Sequence, residues 1–373
     1  MDLELSNDQE LLRDTTARFI ESVCPLTAVR ELGGSKSPEG ADYRRQAAEL
    51  GWFALLVPEE LGGGTVSGNG VADAAIVAEE RGRGLQPGAF VASNSVALGL
   101  ALEGSDEQRK VLTEIAAGEA TATWALASAD GDWSPGAGIT ATVSGAGFVV
   151  SGASGFVQDA DLADWLLVTA AGDDGLSQFL VAQGTPGVGI TVLEGLDITR
   201  RFSEVRFDDV EVPASALVGT AGGAAGTVER QLQVALALTV AEMVGAMDRD
   251  FEVALDYAKA RTAFGRPIGS FQAIKHLLAD TSLALEMSKS MAIAAAKAVG
   301  EGKDDATEVA SMAKAFVSDS AIDLAQNCFQ VFGGIGYTWE HDQHLYLRRL
   351  TTDAALYGDA AWHRERVWEF YGL

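Results

Sequence analysis

The sequence predicts an α+β protein with an N-terminal helical domain, a middle β-barrel domain and a C-terminal four-helix bundle. Apolar residues recur every three or four positions up to residue 118 and again after residue 220. Between these limits, short β-branched or alternating runs are separated by Gly, Asp and Ser pairs. The chain has 373 residues, of which 47% are hydrophobic, so it can bury the cores of two or three domains. We therefore predict domains at 1–118, 119–220 and 221–373.

The N-terminal domain begins with a helix-capping pattern. Ser6 with Gln9, and Asn7 with Glu10, have the spacing of a capping box ahead of a predicted helix that runs to about Val23. Further helical patterns cover 43–50, 71–83, 93–102 and 105–117, the last of them capped at Ser105.

The middle domain is predicted from six short runs at 120–127, 139–143, 147–150, 165–169, 177–181 and 205–210. Runs of this length, cut by turn residues, are typical of a small antiparallel barrel. Pro213 and the glycine-rich loop at 219–226 end the insert.

The C-terminal domain reads as long helices with short connections. A core-facing stripe on its first helix is formed by Val240, Val244, Met247, Phe251, Leu255 and Ala258. Further helices are predicted at 277–299, 307–329, 344–358 and 361–370. Long antiparallel helices of this kind favour a four-helix bundle.

The charge of the chain excludes some partners. A formal net charge of −26 argues against binding to nucleic acid or to an anionic membrane surface. The few basic residues that could meet an anionic ligand are Arg261, Arg266, Lys275, Arg348 and Arg349. Two cysteines make no disulfide framework, the first residues are acidic, and no apolar run is long enough for a bilayer, so we expect a cytoplasmic protein.

The stretch around Arg261, Phe264 and Gln272 carries the strongest motif. A guanidinium, an aromatic ring and an amide near one Gly/Pro turn suit a large anionic, planar cofactor. The spacing R-x-x-F-G-R-P-I-x-x-F-Q, followed by K-H-x-x-A-D, resembles the flavin-binding signature of the acyl-CoA dehydrogenases. The resemblance implies FAD as cofactor, with this segment on the diphosphate of a neighbouring subunit's FAD. The alternative is a surface helical hairpin with a charged rim.

A second motif, Q-V-F-G-G-I-G-Y, contains Gln330, Gly333 and Gly334 at the end of a predicted helix. Glycines let a backbone approach a ligand closely and present N–H groups to it. The same family resemblance implies contacts to the adenosine diphosphate part of FAD. Taken alone, the glycines also fit a plain helix C-cap.

The β insert departs from the family where the flavin ring would bind. Ala125 to Ser128 stands where the family has a Thr-Glu-Pro run, and Ala127 offers no hydroxyl. Phe156 begins F-V-Q-D, where the family has Trp-Ile-Thr-Asn, and it can still stack on a flavin. The resemblance therefore implies flavin-ring contacts at Ser128 and Phe156 and leaves the rest of that surface in doubt.

The larger departure from the family pattern concerns the catalytic base. The family reaction needs a carboxylate to take a proton next to the thioester, and both usual positions lack one, since they hold Ala235 and Tyr357. A phenol with a pKa of about 10 is a poor base at neutral pH. Glu242 is the nearest substitute, because it lies on the same helix as Ala235, about two turns or 10 Å further along. It could instead pair with an arginine. Asp359 is a weaker candidate that also suits a helix cap.

The sequence predicts no metal site. His341 and His344 are three residues apart, but no cysteine or third histidine joins them.

The chain most resembles the Glu-lacking subunit of actinobacterial heterotetrameric acyl-CoA dehydrogenases that act on steroid side-chain CoA esters. That resemblance implies oxidation of a bulky acyl-CoA to the 2,3-enoyl-CoA, with a homologous partner chain supplying the Glu and an electron-transfer flavoprotein as acceptor. Three alternatives stay open: a homotetramer that uses Glu242 as base, a flavin monooxygenase of the same fold, and a scaffold subunit without chemistry of its own.

Overall fold

The computed structural model of this protein describes residues 5–32 and 41–372. Within them, the chain divides into two compact units. One comprises residues 5–31, 71–86 and 236–372, and the other comprises residue 32, residues 41–70 and residues 87–235.

The predicted order of helices, then strands, then helices is confirmed. The helices are α1 (Asn7–Val23), α2 (Leu26–Leu32), α3 (Ala41–Glu49), α4 (Gly70–Arg83), α5 (Phe90–Glu103), α6 (Asp106–Ala116), α7 (Ala225–Ala260), α8 (Gln272–Gly300), α9 (Ala306–Phe332), α10 (Gln343–Ala355) and α11 (Ala360–Phe370). The strands are β1 (Ala122–Ala125), β2 (Ile139–Ser144), β3 (Gly147–Gln158), β4 (Trp165–Gly172), β5 (Gly175–Ala182), β6 (Val188–Leu193), β7 (Phe202–Pro213), β8 (Leu217–Val218), β9 (Thr262–Ala263) and β10 (Arg266–Pro267).

Side-chain caps fix the starts of three helices. The Ser6 hydroxyl accepts from the Gln9 backbone N–H while the Gln9 side chain accepts from the Ser6 backbone N–H, and Ser105 forms the same capping box with Gln108. Asp359 caps α11, because its carboxylate accepts from a backbone N–H of the first turn. The caps expected at Ser6, Ser105 and Asp359 are therefore present.

The β insert is one eight-stranded sheet with the order β6-β7-β3-β2-β4-β5-β8, and β1 pairs with β4. The predicted small barrel corresponds to this sheet, in which, among the described residues, β1, β6 and β8 each pair with one other strand. Apolar side chains from most of its strands, among them Ile139, Val168 and Phe179, form one core. Strand alternation places these residues on one face of the sheet.

In the other unit, α9 packs against α8, α10 and α11, as expected for a helical bundle. Helices α4 and α7 approach closely at two glycines. A methyl group on Gly82 would lie 1.9 Å from the Glu242 carbonyl oxygen, and one on Gly245 would lie 1.8 Å from the Glu79 carbonyl oxygen. No helix in the described part of the chain is long and apolar enough to cross a bilayer.

The structure differs from the sequence prediction mainly at element boundaries. Strand β6 is an additional strand, which the sequence hides because Gly187 and Gly189 interrupt its apolar run. Helix α8 begins at Gln272, five residues before the predicted start, since most of its first residues are exposed and carry little periodicity. Helix α9 continues to Phe332, so Gln330 is helical.

Candidate functional site

The Arg261 motif forms a tight β-hairpin between α7 and α8. The Arg261 backbone N–H donates to the Tyr257 carbonyl at 2.8 Å, and the Ile268 N–H donates to the Arg261 carbonyl at 2.8 Å. Phe264, at the tip, has a φ of +50° and is 97% exposed. A bulky residue in the left-handed region is a backbone outlier, and such outliers cluster at binding and catalytic sites.

The start of α8 suits an anionic group. Helix α8 has no side-chain cap and no acidic residue in its first turn, so its N–H groups and dipole favour a negative charge there. Gln272, Arg261 and Arg266 are all exposed around this helix start. A neighbouring cleft of about 410 Å³ adds the side chains of Lys259 and Lys275. These donors fit the diphosphate of FAD.

The second motif ends α9 with an open backbone. Gly333 has a φ of +63° and a ψ of −140°, a conformation that only glycine adopts readily. A methyl group on Gly333 or Gly334 would meet no atom within 4 Å. Gln330 is exposed on the last turn of the helix. The segment thus leaves room for a ligand to approach its backbone.

The structure brings the two motifs together. The rings of Tyr257, one turn before Arg261, and of Phe332, at the end of α9, have centroids 4.8 Å apart. The predicted cofactor residues Arg261, Phe264, Gln272, Gln330, Gly333 and Gly334 therefore belong to one structural unit, on neighbouring helix ends.

The β unit brings Ser128 and Phe156 together. Ser128 pairs with Ser154 in an isolated bridge, and the Gly155 N–H donates to the Ser128 carbonyl at 3.2 Å. The Ser128 hydroxyl donates its proton to a hydrogen bond with the Asp130 carboxylate, so that proton is not available to a ligand. Phe156 is 42% exposed with a φ of +54°. Phe156 thus presents an open ring, whereas Ser128 is already engaged.

Neither usual base position holds a carboxylate. Ala235 is fully buried within α7. Tyr357 is buried in the turn between α10 and α11, with a φ of +58°. Tyr357 therefore brings a phenol to that position in place of a carboxylate.

Glu242 is fully buried and forms an ion pair with Arg349. Both side chains are 0% exposed, and Arg349 Nη1 lies 3.7 Å from Glu242 Oε1. Arg349 Nη2 also donates to the Leu85 and Gln86 carbonyls, at 3.1 Å each. Arg349 was expected among the basic residues that meet an anionic ligand, and that expectation is wrong, because burial with Glu242 uses its charge inside the protein.

Two buried cationic or imidazole side chains, which the sequence did not single out, hold the Tyr357 turn. Lys314 Nζ donates to the Ala354 and Gly358 carbonyls at 2.9 Å each. His363 Nε2 lies 3.0 Å from the Tyr357 carbonyl oxygen. Burial lowers the pKa of Lys314 to about 7 and, helped by Lys314, that of His363 to about 3. The sequence signal for these contacts was Lys314 itself, a lysine on the apolar face of a predicted helix.

Asp250, Cys328 and Gln343 form a second buried group that sequence reasoning missed. Gln343 Nε2 donates to Asp250 Oδ2 at 3.0 Å, and the Cys328 thiol is hydrogen-bonded to the same carboxyl group. No cluster of three or more potential metal ligands occurs among residues 5–32 and 41–372.

Comparison with known proteins identifies the family. The sequence profile of the acyl-CoA dehydrogenase N-terminal domain matches residues 6–119, and that of the C-terminal domain matches residues 223–371. Acyl-CoA dehydrogenase IpdE2 of Mycobacterium tuberculosis is 31% identical over 350 residues, which cover 94% of this chain and 92% of the relative.

Solved structures agree with this assignment. The ChsE4-ChsE5 complex from Mycobacterium tuberculosis contains a chain with a TM-score of 0.91 at 26% identity, covering 100% of this chain and 99% of that one. The FAD complex of PigA has a TM-score of 0.91 at 26% identity and covers 100% of both chains. The protein is therefore a member of the acyl-CoA dehydrogenase family, a group of FAD-dependent oxidoreductases.

Proposed function

We propose that this chain is the Glu-lacking subunit of a heteromeric acyl-CoA dehydrogenase. The assembly oxidises a bulky acyl-CoA to the 2,3-enoyl-CoA, and a homologous partner chain carries the base. A bound FAD supplies the acceptor for the hydride that leaves the acyl group. An electron-transfer flavoprotein then reoxidises this cytoplasmic enzyme.

The observation that carries the proposal is the missing carboxylate. Ala235 and Tyr357 occupy the two expected base positions. Of the two other candidates, Asp359 is engaged as the cap of α11 and Glu242 is fully buried against Arg349. Removal of a proton from a substrate requires direct reach or one water. The name of one structural relative, the ChsE4-ChsE5 complex, describes an assembly of two different chains, which supports the heteromer.

This chain's own role is to bind and orient. Arg261 and Arg266 offer guanidinium donors to a diphosphate, and Gln272 begins a helix whose N-terminus favours an anion. Gly333 and Gly334 present open backbone to the same ligand. Phe156 provides a ring for stacking. The cofactor residues proposed here are Arg261, Phe264, Gln272, Gln330, Gly333, Gly334, Phe156 and Ser128. Ser128 would contribute only an acceptor oxygen, because its hydroxyl proton is donated to Asp130.

The proposal is tested by the FAD-to-chain ratio of the protein, purified alone and after co-expression with a homologue that carries the missing Glu. We expect a ratio near zero alone, about one FAD per pair of chains in the complex, and flavin bleaching by acyl-CoA only in the complex. A ratio near one for the chain alone, with flavin bleaching by acyl-CoA, would instead support the homotetramer.

Glu242→Gln separates the two assemblies further. In the complex, we expect the folded variant to bleach the flavin at the wild-type rate, because Glu242 is not the base, although the melting temperature should fall as the buried pair with Arg349 is lost. Glu286→Gln, at an exposed position on α8, is the control that should change neither quantity. Loss of bleaching in Glu242→Gln with FAD still bound would contradict the proposal.

A further inference from the structure

One buried carboxyl group is bonded to both ends of the second cofactor segment. Asp250, on α7, is fully buried. The Cys328 thiol, two residues before Gln330, is hydrogen-bonded to it, and Gln343, the first residue of α10, donates its amide to it at 3.0 Å. The residues that flank the intervening chain, 329–342, are therefore both hydrogen-bonded to Asp250, which holds the two ends of this loop close together.

His341, within this loop, contacts both Gln343 and Phe332. The Gln343 backbone N–H donates to His341 Nδ1 at 3.2 Å. The His341 ring lies 4.3 Å from the Phe332 ring, centroid to centroid. Phe332 directly precedes Gly333, so a shift of Gln343 would be transmitted through His341 to the glycines. The route consists of direct contacts at each step.

Helix α7 connects this loop to the first cofactor segment. Asp250 and Tyr257 are seven residues apart, which is about two helical turns, so both lie on one face of α7. Tyr257 contacts Phe332, and its carbonyl accepts from the Arg261 N–H at 2.8 Å. One face of α7 thus sets the positions of Arg261 and of Gly333 relative to each other.

The surroundings of Asp250 favour its neutral form. Burial raises its pKa well above the usual range of an aspartic acid. A neutral carboxyl still accepts hydrogen bonds from an amide and a thiol without requiring a cation in the core. An apolar residue of similar size would remove these acceptors, whereas asparagine would keep one oxygen in place.

We infer that Asp250 is a positioning residue for FAD binding, which holds the segment from Gln330 to Gly334 in register with Arg261 through Cys328 and Gln343. The inference rests on the proposed role of these two segments in binding the FAD diphosphate. It adds to that role a residue that does not itself touch the cofactor.

The test measures the dissociation constant for FAD by titration of flavin-free protein, in the assembly that binds FAD. We expect Asp250→Leu to weaken FAD binding about tenfold or more, equivalent to about 1.4 kcal/mol. Asp250→Asn should remain within about threefold of wild type, which corresponds to less than about 1 kcal/mol. Asp304→Asn, at an exposed position in the loop between α8 and α9, is the matched control and should leave the constant unchanged.

A second variant keeps the test valid if Asp250→Leu fails to fold. Gln343→Met removes only the donor from α10, and we expect it to weaken FAD binding in the same direction. Folded Asp250→Leu or Gln343→Met protein with a wild-type constant and a lowered melting temperature would overturn the inference, because the group would then be structural only.

Arg261→Ala distinguishes this inference from the proposed function. If Arg261→Ala weakens FAD binding and the Asp250 and Gln343 variants do not, the inference alone fails. If Arg261→Ala also leaves the constant unchanged, the assignment of the segment to the diphosphate fails.

Discussion

The turn around Tyr357 shows how single buried side chains fix a local structure. His363 Nε2 meets a carbonyl oxygen, so this nitrogen must carry the proton of the neutral ring. Protonation of the other ring nitrogen would place a second positive charge beside Lys314 in a buried environment. The neutral imidazole is therefore part of what holds the turn.

This geometry predicts an acid-sensitive contribution to stability. The pKa of His363 is about 3 in the folded protein and about 6.5 unfolded, so the unfolded chain binds more protons between these values. The contribution of His363 is present above about pH 6.5 and is lost as the pH falls towards 3. We expect the melting temperature of His363→Gln to fall less steeply between pH 6.5 and 4 than that of wild type. The exposed control His276→Gln should follow the wild-type curve, and equal slopes for all three proteins would refute the prediction.

The residues that sequence reasoning found are those defined by local spacing. Arg261 and Gln272 lie eleven positions apart in one motif, and Gln330 and Gly333 lie three apart in another, so both patterns are visible in the chain itself. Glu242 was recognised as unusual, but its partner Arg349 lies in a distant helix. A contact of that kind is set by tertiary packing, which single-sequence periodicity does not encode.

At the scale of elements, the crossing of α4 and α7 depends on two glycines. Gly82 and Gly245 let the two backbones approach so closely that an added methyl group would overlap a carbonyl oxygen of the other helix. Glycine costs about 1 kcal/mol relative to alanine inside a helix, so a glycine kept at such a position is explained by packing. The crossing also places Glu242 beside Gly82.

We therefore expect Gly245→Ala to destabilise the protein by at least about 2 kcal/mol, because overpacking outweighs the gain in helix propensity. The matched control is Gly226→Ala, in the first turn of α7, where an added methyl group meets nothing within 4 Å. That change should be neutral or stabilise by up to about 1 kcal/mol. Urea unfolding of both variants measures the difference, and equal effects would show that the crossing tolerates a side chain.

Helix starts could be predicted where the sequence has a capping-box pattern, as at Ser6 and Ser105. Strand β6 was not, because glycines interrupt its pattern and its pairing with β7 is non-local. The division at 118 and 220 remains a proposal. It is supported by the two family profiles, which end at residue 119 and resume at residue 223.

At the scale of the whole molecule, acidic charge dominates. The chain has 53 acidic and 27 basic residues, so even if every basic group were paired, 26 carboxylates would remain unmatched. Salt weakens exposed ion pairs, which contribute only about 0–1 kcal/mol each. It also screens the mutual repulsion of the excess carboxylates, since the Debye length falls from about 30 Å at 0.01 M to about 3 Å at 1 M. The screening of repulsion acts on more groups than the weakening of ion pairs, so added salt should stabilise the protein overall.

We therefore expect the melting temperature to rise when NaCl is increased from low to high concentration. Choline chloride at equal ionic strength should produce the same rise, because screening depends on ionic strength and the large organic cation binds carboxylates poorly. A rise in NaCl alone would indicate a bound sodium ion. A fall in both salts would mean that ion pairs such as Lys110 with Glu107 contribute more to stability than the repulsion removes from it.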